Sequence, residues 1–111
     1  MNPRATIKVL KLAGKPYWTF CLYVADQIPR SMEAHENLKR FCEKEFPGRY
    51  TIKVIDVIAN PKVARQENIV ALPTLDRTAP GPMRRVIGNL SNTARLLWAL
   101  DVRNPLYKSL S

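Results

Sequence analysis

The stretch YTIKVIDVIANPKVARQENIVALPTL, residues 50–75, restricts the possible folds more than any other part of the chain. Residues 50–58 are rich in β-branched side chains and long enough for a central strand. Asn60-Pro61 then opens a helix. Asparagine suits the N-cap, and proline suits the first helical position, where its missing N–H would lack a partner in any case. Val63, Ala64 and Glu67 continue that helix for about two turns. The run Ile69-Val70-Ala71-Leu72 leads into Pro73-Thr74-Leu75. A proline there cannot donate to a β-ladder, so it belongs at an edge, a first residue or a cis turn.

The flanking segments complete a pattern. In residues 18–25, Trp18, Phe20, Leu22 and Val24 face one way and Thr19, Cys21, Tyr23 and Ala25 the other. Both sets are largely apolar, which predicts a strand covered on both faces. Pro29 and Ser31 signal a helix start, with Glu33 and Glu36 complementing its positive end. Ala34, Leu38, Phe41, Cys42 and Phe46 share one stripe of that helix, and Pro47-Gly48 stops it. The short return gives a right-handed parallel βαβ unit. Pro80-Gly81-Pro82 turns a hairpin between residues 74–77 and 83–88. Asn89-Leu90-Ser91-Asn92 supplies caps for a last helix. Thr93, Leu96, Leu97 and Leu100 share a face of it, widened by Ala94 and Trp98. Asp101 stands near its C-terminus, where negative charge opposes the dipole. The order β-α-β-α-β-β-α is that of a thioredoxin-like α/β domain over residues 18–103, with a tail at 104–111. Residues 1–17 form a basic extension carrying Arg4, Lys8, Lys11 and Lys15 and no acid. It reads as a contact for an acidic surface or as a loosely docked terminus, and the alternation at Ile7 and Val9 allows a short extra strand.

The chain carries 18 Lys and Arg against 9 acids, a net charge of +9, which favours an acidic partner. No apolar run reaches the roughly 20 residues of a membrane span, and lysines interrupt any signal-peptide core, so a cytoplasmic protein is expected. In a redox thioredoxin the dithiol lies between the first strand and the first helix. Here residues 26–31 hold no cysteine, which argues against thiol–disulfide exchange and leaves a minor redox role through Cys21 and Cys42 as a third reading. Cys21 and Cys42 form no CxxC and read as free buried thiols. His35 has Ser31 one turn before it, but nothing supplies an orienting acid or an oxyanion site. One histidine and two distant cysteines do not make a metal site. The glycines are not spaced as a phosphate loop. Neither an enzyme nor a cofactor is expected. Lys53, Arg77, Arg84 and Arg85 read as a basic patch near the hairpin and central sheet. The aromatics that would stack single-stranded nucleic acid fall at core positions, so an acidic protein ranks above nucleic acid as partner. A nucleic-acid-binding thioredoxin-like module without redox activity is the alternative.

The blocks FCLYVADQIPRSMEA, FPGRYTIKVIDVIANPKVA, NIVALPTL, PGPMRRVIGNLS and LLWALD resemble the KaiB family of circadian-clock proteins, over about residues 18–102. The joined VIDV-x-x-NP and A-x-PTL blocks carry the specificity. The resemblance implies a non-catalytic adaptor that binds a KaiC-type hexameric ATPase and modulates clock or stress-related signalling. It implies a clock histidine kinase or KaiA-like protein as competitor or co-partner. It further implies a second, ground-state fold of the C-terminal half (β-α-β-β-α-α-β), usually a homo-dimer or tetramer. Asn60, Pro61 and Lys62 match the turn and second helix that face KaiC, and Lys53 matches a basic residue of the second strand. Arg77, Arg84 and Arg85 match basic hairpin positions, and Asp101 matches the acidic residue of the family's switch motif. Ala99 replaces that motif's glycine and favours the last helix by about 0.8–1.0 kcal/mol, biasing the chain to the thioredoxin-like state. Asn68 stands where a lysine is expected, Glu33 where an arginine is, and Asn104 where an aromatic is. These departures fit a paralogue, or a member from a bacterium lacking KaiA, as well as a cyanobacterial oscillator. Residues 50–56 are strand in either fold. From Asn60 onward the chain must choose, with Asn68, Pro73, Ala99 and Asp101 as the positions bearing on that choice.

Overall fold

A computed structural model describes residues 16–102. Along them run β1 (Trp18–Val24), α1 (Pro29–Glu45), β2 (Tyr50–Asp56), α2 (Pro61–Gln66), β3 (Thr74–Ala79), β4 (Arg84–Ile87) and α3 (Thr93–Ala99). The element order is the expected one. The expectations for residues 1–15, including any extra strand at Ile7 and Val9, and for 103–111, including Asn104, lie outside the described residues.

The strands form one sheet in the order β2-β1-β3-β4, parallel between β1 and β2 and antiparallel elsewhere. β1 is central and buried on both faces, as its two apolar sets predict. Among the described residues β2 pairs with β1 alone and so forms one edge of the sheet where a central strand was expected, with Thr51, Lys53 and Val54 exposed. β-Branched richness measures fit to a pleated surface, which an edge supplies as well as a centre does.

On one face of the sheet, Trp18, Phe20, Leu22 and Leu75 pack with Ala34, Leu38, Phe41 and Cys42 of α1 and with Leu96 and Leu100 beyond it. Trp18 stacks on Phe46 with ring centroids 4.3 Å apart. Each such large side chain contributes about 1.5–3 kcal/mol by leaving water. Pro29 opens α1 as predicted, but Ser31 is no cap. It sits buried inside the first turn, where its Oγ accepts from the Ala25 N–H at 3.2 Å. Glu33 and Glu36 fall beyond the first turn, so they do not complement the helix dipole. At α3, Asn92 caps as expected, its Oδ1 accepting from the Arg95 N–H at 3.0 Å. Trp98 does not widen the packed face and is 85% exposed. It lies two residues past Leu96, about 200° around the helix, on the far side from the core.

The C-terminal ends of α2 and α3 share one geometry. Asn68 (φ 56°) and Asp101 (φ 60°) adopt the left-handed conformation just past each helix. The Ile69 N–H reaches Ala64 O at 2.8 Å, and the Val102 N–H reaches Leu97 O at 2.9 Å. Both pairs close Schellman-type caps. Asp101 therefore serves as a left-handed cap residue, with its carboxylate 3.6 Å from Arg84. Ala99 is the last residue of α3, and the Leu72–Pro73 bond is cis, directly before β3.

Candidate functional site

The β2 edge meets the start of α2 at an exposed corner. The Trp18 N–H donates to Arg49 O at 2.8 Å and the Val57 N–H to Val24 O at 2.9 Å. In a parallel ladder those two bonds fix the phase: odd-numbered residues of β2 turn their backbone toward β1, and Tyr50, Ile52, Val54 and Asp56 turn theirs outward. Both ends of that outward edge are occupied. Tyr17 Oη donates to Tyr50 O at 3.0 Å, and Asp56 O accepts from the Asn60 N–H at 3.0 Å and from Asn60 Nδ2 at 2.9 Å. Among the described residues, nothing else binds the outward N–H and C=O groups of Ile52 and Val54 between them. Pro16 and Tyr17, assigned above to the basic extension, are thus tied to the domain, Pro16 O accepting from Arg49 Nη1 at 3.0 Å.

Around this open edge stand Lys53, Asn60, Pro61 and Lys62, all exposed. Neither lysine forms an ion pair among the described residues. Asp56 Oδ1 accepts from the Ile58 N–H at 2.8 Å and so shapes the turn that presents Ile58, itself 63% exposed. Asn60 precedes Pro61 as predicted, but its side chain binds back to Asp56 and makes no helix cap.

The predicted basic patch does not form. Lys53 lies on β2, whereas Arg84 and Arg85 lie on β4 at the opposite edge, three strand spacings or about 14 Å away. Arg77 is only 3% exposed. The register puts it on the core side with Leu75, where its guanidinium donates to Leu100 O and, at 2.7 Å, to Pro82 O. It also lies 5.4 Å from the Trp18 ring centroid. Its positive charge complements the carbonyl end of α3. Arg85 donates to both carboxylate oxygens of buried Asp76, at 2.7 and 2.8 Å, and this hydrogen bonding pushes the guanidinium pKa up. It reaches on to Glu67 O at 3.0 Å and so ties β4 to the C-terminal end of α2 over the other face of the sheet. Arg84 alone stays at the surface, half exposed. Asp76 and Tyr17 were missed from sequence. Asp76 carried one signal: a hairpin about Pro80-Gly81-Pro82 sets it opposite Arg85 as a cross-strand ion pair.

The thiols belong to opposite sides of the sheet: Cys42 packs in the core cluster, while Cys21 alternates with the core-facing residues of β1. Both are free and buried. Burial pushes the Cys42 thiol up to about 12 and the Cys21 thiol upward as well, so neither is a thiolate nucleophile at neutral pH. Among the described residues no group of three or more His, Cys, Asp or Glu side chains is placed to hold a metal ion. None of their helices is long and apolar enough to cross a membrane. What the corner offers is therefore recognition: open backbone edge, two cations and exposed apolar side chains.

A model of the KaiB domain matches residues 21–102. The circadian clock oscillator protein KaiB of Parasynechococcus marenigrum strain WH8102 is 43% identical over 111 residues, covering 100% of this chain and 93% of that protein. The protein of the same name from Thermostichus vulcanus is 48% identical over 81 residues, covering 73% and 75%. Among solved structures, chloroplastic thioredoxin z has a TM-score of 0.64 at 19% identity, covering 92% of this chain and 89% of that one. The N-terminal domain of Synechococcus elongatus SasA has a TM-score of 0.63 at 20% identity, covering 87% and 88%. These two establish the thioredoxin-like fold.

Proposed function

The chain belongs to the KaiB family, and from that premise we propose that it is a non-catalytic adaptor docking on a KaiC-type hexameric ATPase through the β2–α2 corner. One observation carries this reading. The corner combines exposed Lys53, Asn60, Pro61 and Lys62 with an edge at Ile52 and Val54 that no other described residue binds, in a chain of net charge +9. An acidic surface that offers a short strand or loop complements all of these features. Arg84 supplies a secondary contact from the far edge. Arg77 and Arg85 leave the interface, because their guanidinium groups are spent inside the fold.

In this reading the sensor domain of a clock histidine kinase competes for the same ATPase, and a KaiA-like protein acts as competitor or co-partner. The output is clock or stress-related signalling in the cytoplasm. The working unit is residues 18–103, with a basic extension before it and a tail after it. A homo-oligomeric ground state with the second fold would have to release both left-handed caps, Asn68 and Asp101, and re-form the chain from Asn60 onward. Pro73 and Ala99 lie inside the segment that changes. If only a minor state binds, apparent affinity falls by its population.

The test is size-exclusion chromatography with the cognate KaiC-type ATPase and ATP after long incubation. Wild type is expected to co-elute, and Lys53→Glu/Lys62→Glu is expected to elute alone with unchanged thermal stability. No wild-type complex, or equal co-elution of the variant, contradicts the proposal. A gel shift with single-stranded DNA that weakens steeply with salt would favour the nucleic-acid module instead.

A further inference from the structure

We propose that a cleft between α1 and the β4–α3 loop binds a small oxyanion. The cavity is about 170 Å³ and is lined by Arg30, from the first turn of α1, and Arg95, from the first turn of α3. Neither guanidinium has an ion-pair or hydrogen-bond partner among the described residues. Among the described residues no aspartate or glutamate lines the cleft. Glu33, on the same helix as Arg30, is held by Asn89 Nδ2 at 3.2 Å and stays outside it. Ser91 and Asn92 complete the rim. Asn92 Oδ1 is already engaged by the Arg95 N–H, so its side-chain N–H groups remain as donors. The rim therefore offers side-chain donors from Arg30, Arg95 and Asn92. Buried Val86 and Leu96 form an apolar floor.

Two cations sharing one cleft repel each other, and an oxyanion between them relieves that repulsion while accepting forked guanidinium bonds. A water occupies roughly 30 Å³ of liquid, so the cleft has room for several waters or for one phosphate or short carboxylate. The apolar floor suits a carboxylate on a short aliphatic stem. Bound there, the ligand would bridge the start of α1 to α3.

The experiment is a ¹H–¹⁵N NMR titration at constant ionic strength, with chloride replaced by sodium phosphate in one arm and by sodium 4-methylpentanoate in the other. Wild type is compared with Arg30→Gln, Arg95→Gln and, as a distant control, Lys44→Gln. Saturable shifts confined to Arg30 and residues 86–96 are expected. Each arginine variant should weaken binding about tenfold, as loss of one charge-assisted hydrogen bond implies, and Lys44→Gln should not. Tighter methylpentanoate identifies an aliphatic carboxylate on the apolar floor; tighter phosphate identifies a site read by charge alone. Shifts that stay linear, that spread equally to Lys53 and Lys62, or that are unchanged in Arg30→Gln and Arg95→Gln overturn the proposal. All three substitutions alter exposed side chains, so the remaining spectrum reports whether the fold is intact.

Discussion

Replacing Arg77 by methionine keeps the aliphatic bulk of a buried side chain and removes its guanidinium. Leu100 O and Pro82 O each lose a charged donor, about 1.5–3 kcal/mol apiece, and the contact with Trp18 contributes about 1 kcal/mol more. Against this, the variant no longer holds a charge out of water, a burden of several kcal/mol in an interior. The balance is a net loss of about 2–4 kcal/mol. Urea unfolding followed by circular dichroism reads it as a lower midpoint at unchanged slope. Hydrogen exchange should accelerate first at Leu100, Asp101 and Val102, the residues at the end of α3 that Arg77 caps. Arg77→Lys keeps the charge without the fork and should fall between. A loss under about 0.5 kcal/mol would refute the reasoning. So would loss of ATPase binding at unchanged stability, which would return Arg77 to the docking surface.

Asp76→Asn should lower stability by about 2–3 kcal/mol, less than a fully enclosed ion pair would cost because Arg85 can turn to water; thermal melting checks it. Asn68→Gly relieves a left-handed residue and should raise the urea midpoint by the equivalent of a few tenths of a kcal/mol, whereas Ala99→Gly should lower it by about 0.8–1.0 kcal/mol and shift the circular-dichroism spectrum away from the thioredoxin-like form. Between pH 9.0, the ordinary cysteine value, and about 12, the unfolded chain has released the Cys42 proton and the folded one retains it. The stability this confers is complete below that window and falls by about 1.4 kcal/mol per pH unit through it. Urea midpoints measured from pH 8 to 11 should therefore decline more steeply in wild type than in Cys42→Ala.

Local signals set out the element order because each was complete in itself: an X-Pro helix start, a Pro-Gly-Pro turn, an asparagine cap before α3. They could not say which strand is central. A β-branched run such as residues 50–56 satisfies an edge or a centre equally, and only the pairing of β1 with both β2 and β3 decides. The arginines show the same limit. Arg77, Arg84 and Arg85 are one chemical class in the sequence, yet strand register sends one into the core, one across to Asp76 and one to the surface. The lysines and Asn60-Pro61 at the corner were legible, since they lie within ten residues of one another on one strand–turn–helix unit. Tyr17 was not, because its role depends on a hydrogen bond to Tyr50, which is remote in the chain. Trp98 neighbours the leucines of α3 in sequence, but helical spacing turns it outward into solvent.

A hydrogen-exchange footprint tests the proposed docking at the β2–α2 corner most directly. The chain is compared free and in complex with its KaiC-type ATPase and ATP. Docking at the corner predicts new protection at the Ile52 and Val54 amides and through Lys62, with the cleft lined by Arg30 and Arg95 unchanged. Protection confined to the Arg84 hairpin or to α3, with the β2 edge exchanging as fast as in the free chain, would contradict it.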